Sequence, residues 1–274
     1  MLLMMVLRLP LSAALAATLA AGLPRPGAAT PFTAHYEIRA GGLTVMRLET
    51  LFDLGEMEYR LTTRLRAVGL AGLLKGGDQV SSVEGRWQGM QPMPLRYRAE
   101  SNWGGTRRKV AMEFAPGGMP VLRALEPPIE PERETVPPAL QRGTIDWLSA
   151  VAKLTRTVAL TGRCDVEAAT FDGRLRADIS VRTAGVDRLP PWDSLTGEAL
   201  RCAFESRLVA GRRMNRDPDE PRQPQPAIAW LARVTPSAPP VPVRVELPSR
   251  WFGTLTVVLA GLELGGQQPV QQRR

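Results

Sequence analysis

Apolar and polar side chains alternate with period two over most of the chain, the pattern of strands with one face on a core and the other in water. Tyr59, Leu61, Thr63 and Leu65 fall in one phase, and Arg60, Thr62, Arg64 and Arg66 in the other. Leu95, Tyr97 and Ala99 alternate with Arg96, Arg98 and Glu100, and Val110, Met112 and Phe114 with Lys109, Ala111 and Glu113. The pattern returns late in the chain, at Val243, Val245 and Leu247 and at Leu255, Val257 and Leu259. One-sided alternation favours antiparallel sheet over a parallel sheet covered on both faces.

Turn signals divide these runs. Gly41-Gly42 separates strands near Phe32–Arg39 and Thr44–Leu54, Gly76-Gly77-Asp78 precedes a strand from Val80 to Trp87, and Gly104-Gly105 joins those around Tyr97 and Val110. Asp172-Gly173 between Val166–Phe171 and Leu175–Val181 predicts a two-residue hairpin, since this pair tolerates the positive φ angles of a type I′ turn. One helix interrupts the strands. Thr144 suits its cap, Asp146 its first turn, and Ile145, Leu148, Val151, Ala152 and Leu154 make an apolar stripe running to about Thr157. A weaker helical turn is expected over Val68–Leu74. The expected fold is mainly β, a curved antiparallel sheet in the form of an open barrel or β-spiral, with one capping helix. A sheet of ten or so strands does not stay flat.

The alternation spans residues 30–264, read as a single β-rich domain. The stretches Glu126–Pro138 and Asn215–Pro226, rich in Pro and charge, read as exposed loops rather than boundaries because strand patterning resumes after each. Residues 265–274, Gln-rich, read as a disordered tail. No repeat of fixed period is present.

Residues 1–29 read as a secretory signal peptide: a start charged at Arg8, a Leu/Ala run from Leu9 to Leu23, then small residues with cleavage near Ala29. The run is about fifteen residues, short of the roughly 20 of a spanning helix; a retained anchor is the alternative. The expected location is the periplasm. Removing Arg8 and Arg25 with the leader takes the formal charge from +8 to about +6, nearly all from Arg. Two readings of that excess stand side by side: codon bias, or contact with anionic envelope components through an outward basic face of Arg60, Arg64, Arg66, Arg96 and Arg98. Nucleic acid is not an expected partner in that compartment. Cys164 and Cys202 both survive processing, and an oxidising compartment makes one disulfide the default, with a free catalytic Cys as the alternative.

Searched for catalytic constellations, the chain yields little. His35 is its single His, which excludes a His-rich metal site, and no Gly-x-Ser-x-Gly elbow or phosphate-binding Gly loop occurs. Asp146, Asp172 and Asp178 are candidates for paired-carboxylate chemistry, yet helix start, turn and outward strand position explain each. Trp87, Trp147 and Trp230 fall on regular elements and read as core; Trp103, Trp192 and Trp251 lie near turns, where they would line a cavity mouth. No metal or cofactor is expected.

The order of landmarks resembles a known family. Phe32-Thr33-Ala34-His35-Tyr36-Glu37 is followed by Gly41-Gly42-Leu43, Gly69-Leu70-Ala71 and Pro94-Leu95-Arg96-Tyr97. Then come Gly143-Thr144-Ile145-Asp146-Trp147-Leu148-Ser149, Cys164, Phe171-Asp172-Gly173-Arg174, Cys202, Pro242-Val243-Arg244 and Gly253-Thr254-Leu255. Together they look like the bacterial envelope family catalogued as domain of unknown function 3108. The resemblance implies a periplasmic β-rich protein and supplies no catalytic residues. The resulting expectation is a non-catalytic envelope protein that binds a hydrophobic or amphipathic ligand, such as a lipid, or a partner protein in its concave face, with peripheral membrane contact. The alternative is a carboxylate-dependent hydrolase of envelope glycan or lipid.

Overall fold

The protein is described by a computed structural model covering residues 30–69, 72, 76–128, 131–192, 195–214, 224–249 and 253–265. The predicted signal peptide, the tail from 266, Trp251 and most of the 215–226 loop lie outside the described residues, although that loop's last residues, Gln225 and Pro226, open a strand.

Thirteen strands form one antiparallel sheet: β1 (Phe32–Ala40), β2 (Leu43–Leu54), β3 (Glu58–Ala67), β4 (Gly77–Gln88), β5 (Gln91–Trp103), β6 (Thr106–Ala115), β7 (Met119–Glu126), β8 (Val166–Phe171), β9 (Arg176–Trp192), β10 (Leu195–Ala210), β11 (Gln225–Ala232), β12 (Val241–Ser249) and β13 (Gly253–Leu264). Their order is β7-β6-β5-β4-β3-β2-β1-β13-β12-β11-β10-β9-β8. Each strand therefore pairs with its sequence neighbours, except that β1 pairs with β13 and joins two meanders, while β7 and β8 are left as the two edges. The sheet is open: among the described residues no ladder links β7 to β8.

The period-two reading fixes the faces. Tyr59 and Leu61 of β3, Val83 and Trp87 of β4, Tyr97 of β5 and Val110 and Met112 of β6 are buried together with Phe32 and Phe52, whose rings stack 5.0 Å apart. Arg60, Arg64, Arg66, Arg96 and Arg98 face out. Leu95 departs from the pattern. A bulge between Glu84 and Gly85 slips the β4–β5 register there, and Leu95 is left exposed.

Two helices connect β7 to β8, one more than the pattern predicts: α1 (Pro138–Gln141), a single turn, and α2 (Trp147–Thr161). Helix α2 packs on β3, β4, β5 and β8. Its stripe Leu148, Val151 and Ala152 joins the aromatic core, and its stripe Ala150, Leu154 and Val158 joins a second cluster around Cys164 and Cys202. Spacing of i, i+4 on each stripe keeps both in register with their sheets. The helix thus fills the hollow of the sheet rather than covering one side. Asp146, not Thr144, is its cap: the Asp146 carboxylate accepts from the Ser149 N–H at 2.9 Å. Thr144 instead donates to the Gln141 carbonyl at the end of α1. The helix also runs past Thr157 to Thr161, where Gly162 closes it in the left-handed conformation. Trp147, expected in the core, is half exposed because position N1 points away from both stripes. The expected turn over Val68–Leu74 is seen only in part: Gly72 N–H bonds the Val68 carbonyl, and residues 70, 71, 73 and 74 lie outside the described ones.

Candidate functional site

The two edges of the sheet approach each other where the β8–β9 turn meets β6 and β7. This turn has four residues, Asp172 to Leu175, between the paired Phe171 and Arg176, not the two that Asp-Gly predicts. The extra length follows from Asp172, whose carboxylate accepts from the N–H groups of both Arg174 (2.8 Å) and Leu175 (2.7 Å) and so organises a wider loop. Gly173, at φ 95°, packs so closely that a Cβ there would run into Val110 of β6 and approach Leu122 of β7. Arg174 donates to the carbonyls of Glu126 (2.7 Å) and Pro127 (2.9 Å). Behind this contact, the segment after β7 crosses to the end of β10: Glu134 N–H bonds the Arg212 carbonyl, Met214 N–H the Glu132 carbonyl, and Arg133 donates to the Gly211 carbonyl at 2.6 Å.

These contacts line a half-open cavity of about 210 Å³. Its walls come from three places. The inner faces of β4–β6 supply Gln79, Tyr97, Ala99, Ser101, Arg108 and Val110; the segment after β7 supplies Arg133; the β8–β9 turn supplies Asp172, Arg174 and Leu175. Three half-buried guanidinium groups thus share a small space with one carboxylate and an apolar floor. Arg108 is the departure in the strand pattern. It lies in the same phase as Val110, Met112 and Phe114, so a charge occupies the apolar face of β6.

Beneath Tyr97 lies a buried polar chain. Tyr59 Oη and Ser149 Oγ are 2.7 Å apart, and Ser149 Oγ donates to Asp146 at 2.5 Å. Burial raises the Asp146 carboxyl to about 6, against the hydrogen bonds from Ser149 that favour its ionised form. Burial and then the Asp146 charge push the Tyr59 hydroxyl above its ordinary range, and Tyr97 rises through burial with the charges of Asp146 and Asp172. The trio ties α2 to β3. Asp146 is fully buried and does not line the cavity, which leaves Ser149 with no open path to a substrate from that side.

The other sequence candidates scatter. Asp178 is exposed and pairs with Arg176 at 2.8 Å. Single His35 lies on the outward phase of β1, 3.2 Å from Glu263, away from Ser149. Trp103 ends β5 against Gly77, half-buried and outside the cavity wall; the Trp192 side chain and Trp251 lie outside the described ones. On the outer face, Arg60 and Arg96 flank Glu84 at 3.7 and 2.6 Å, and Arg66 meets Glu49 at 3.1 Å, so that face alternates in sign across strands. A larger hollow of about 480 Å³ runs open along β8–β10, but its charges are already paired, Glu167 with Arg182, Asp178 with Arg176 and Glu205 with Arg207. Among the described residues no cluster of His, Cys, Asp or Glu is placed to hold a metal ion. Cys164 and Cys202 are joined as a disulfide, with Cα atoms 5.8 Å apart.

An open, helix-filled antiparallel sheet with a small cavity of mixed polarity at its seam defines a β-barrel-like protein. The chain belongs to the family described as protein of unknown function (DUF3108), whose model matches residues 32–260. Its fold is similar to the crystal structure of a β-barrel-like protein of domain of unknown function DUF1849 from Brucella abortus, with a TM-score of 0.55 and 14% identity, covering 88% of this chain and 100% of that one. At that identity the likeness concerns the fold alone. No curated protein matches the chain.

Proposed function

We propose that this protein acts in the periplasm as a non-catalytic envelope protein, holding an amphipathic ligand or a segment of a partner protein in the hollow of its sheet. The observation that carries the reading is the seam cavity: concave, mixed in polarity, and made where the two sheet edges meet without pairing. The disulfide fits export to an oxidising compartment. The carboxylate hydrolase is the weaker reading, because Asp146 is buried under the helix and the Asp172 oxygen is held by two backbone N–H groups.

The test is native mass spectrometry of the protein released from periplasm without detergent. A co-purifying amphiphile or peptide supports binding. Protein free of bound mass, together with hydrolysis of envelope extracts that Asp172→Asn abolishes without unfolding, overturns it.

A further inference from the structure

Resting on that reading, we infer that the protein sits on a phospholipid bilayer by the end of the sheet that carries the β2–β3 and β4–β5 turns: Met57, Met90 and Leu160 enter the interface, and the Arg156 guanidinium takes a lipid phosphate. The topology brings these four residues together. In an antiparallel meander alternate turns lie at the same end. The β2–β3 turn (Gly55 to Met57) and the β4–β5 turn (Gly89 and Met90) therefore share one end, and the β1–β2 turn lies at the other. The Trp87 N–H bonds the Met57 carbonyl at 2.9 Å, which sets the two turns side by side. Helix α2 finishes against them: Arg156 donates to the Gly55 and Glu56 carbonyls at 3.5 and 3.3 Å and stacks 4.5 Å from the centre of the Trp87 ring. Leu160 follows one helical turn later on the same face.

Exposure and charge identify what covers this end. Met57 is 73% exposed, Leu160 63% and Met90 37%, and none of the three lines either hollow. Large apolar side chains on the tips of turns and the end of a helix project rather than enclose. Such tips enter the fluid boundary between head groups and acyl chains, whereas a folded partner would need a matching concavity. The charge beside them suits a phosphate. Arg86 pairs with Glu58 (3.4 Å) and Arg163 with Asp165 (2.6 Å), while Arg156 pairs with no carboxylate among the described residues. The Glu56 carboxylate acts on Arg156 only from beyond ion-pair distance, and carbonyls take only part of its N–H donors. A guanidinium that lies over an aromatic ring with donors to spare is placed to reach from apolar surface to a head group. The basic face read from the strand pattern offers less, because Arg60, Arg66 and Arg96 already have Glu84 or Glu49 beside them.

The test is co-sedimentation of the protein, released from periplasm with its disulfide intact, with phosphatidylcholine vesicles, with and without phosphatidylglycerol. Binding to both is expected, tighter with phosphatidylglycerol. Met57→Gln and Leu160→Gln are each expected to lower the partition coefficient about tenfold or more, the factor for burying one such side chain. Arg156→Gln is expected to lower it about fivefold on the phosphatidylglycerol vesicles, the factor for one basic residue at an anionic surface, and Arg156→Lys to recover most of that loss. Leu43→Gln, comparably exposed at the β1–β2 turn of the other end, is expected to bind as wild type. Circular dichroism checks that each variant is folded. Retention in the supernatant with both vesicle types overturns the inference, as does wild-type binding by folded Met57→Gln, Leu160→Gln or Arg156→Gln, or an equal loss in Leu43→Gln. An amphiphile found by native mass spectrometry alongside any of these results leaves the broader reading standing while this one fails.

Discussion

In the arm of the sheet built from β1 to β7, the inner face is aromatic: Phe32, Tyr36, Phe52, Tyr59, Trp87 and Tyr97 are all buried there. In the arm that runs through β8 to β11, the cluster against the same helix is aliphatic and small, made of Val166, Ile179, Val181, Ala229 and Leu231 around a disulfide. Aromatic side chains each bury about 150–250 Å², enough to fill a wide hollow without covalent help. Small aliphatic side chains bury less, and the second arm adds a cross-link instead. Helix α2 serves both, one stripe to each, and the seam cavity opens where the arms meet. A curved sheet that does not close by hydrogen bonding is held in shape by what it encloses.

The disulfide offers the largest way to break this contrast. Cys164 and Cys202 close a loop of 38 residues, for which loop-closure entropy gives about 4 kcal/mol. Replacing both by Ser is expected to lower the unfolding free energy by about that amount in urea titration. Hydrogen exchange should then rise first in β8–β11, with the amides of β3–β5 still protected. Equal loss in both arms would show that they unfold as one unit and that the division between them has no energetic meaning.

The aromatic arm has its own weak point in Asp146. Its carboxyl is raised from 3.8 to about 6 by burial, so the folded state binds a proton that the unfolded chain releases between those two values. Stability is therefore greatest below about pH 4 as far as this group is concerned, and falls as pH rises through about 6. The difference of roughly two pH units corresponds to about 3 kcal/mol. Asp146→Asn keeps a cap for Ser149 and removes the titration, so the wild type is expected to lose stability relative to the mutant as pH rises across that window, while Glu37, Glu84 and Asp165, drawn below the ordinary carboxylate range, act on both alike. A wild type that instead gains on the mutant over the same range would mean that Asp146 is stabilised as an anion by its Ser149 bonds more than burial opposes it.

Much of this architecture is visible in the residue pattern, and the exceptions have physical causes. Alternation in Tyr59–Arg66 and Val110–Phe114 marks strand and face because a side-chain period of two admits one register against a buried face. The helix is equally plain in Leu148–Leu154, but its start is ambiguous: Thr and Asp both cap well, and only the N–H reached three residues on, at Ser149, selects Asp146. The Asp172-Gly173 turn is misjudged in length because side-chain capture of two N–H groups competes with the tight turn. The cavity is not legible as a site. Arg108, Arg133 and Arg174 come from separate elements that only the curl of the sheet unites. The one local sign is Arg108 itself, a charge on the apolar phase of β6 beside Val110 and Met112.

The outer face supplies the smallest effect and sharpens the contrast by what it does not do. Glu84 sits on β4 between Arg60 of β3 and Arg96 of β5, and the Arg96 hydrogen bond is the main cause that draws its carboxyl below the ordinary range. Such a triad bridges three strands of the aromatic arm and, by count of contacts alone, looks like a brace. Exposed ion pairs, however, exchange hydration and side-chain freedom for a screened attraction, and most contribute little. Glu84→Gln is accordingly expected to leave the urea midpoint unchanged within error at moderate salt, and the exchange protection of β3–β5 with it. A clear drop in the midpoint at moderate salt, with wild type and mutant converging at high salt, would show that the arm is held from outside as well as by its aromatic interior. The difference between the two arms would then lie in surface charge as much as in what each encloses.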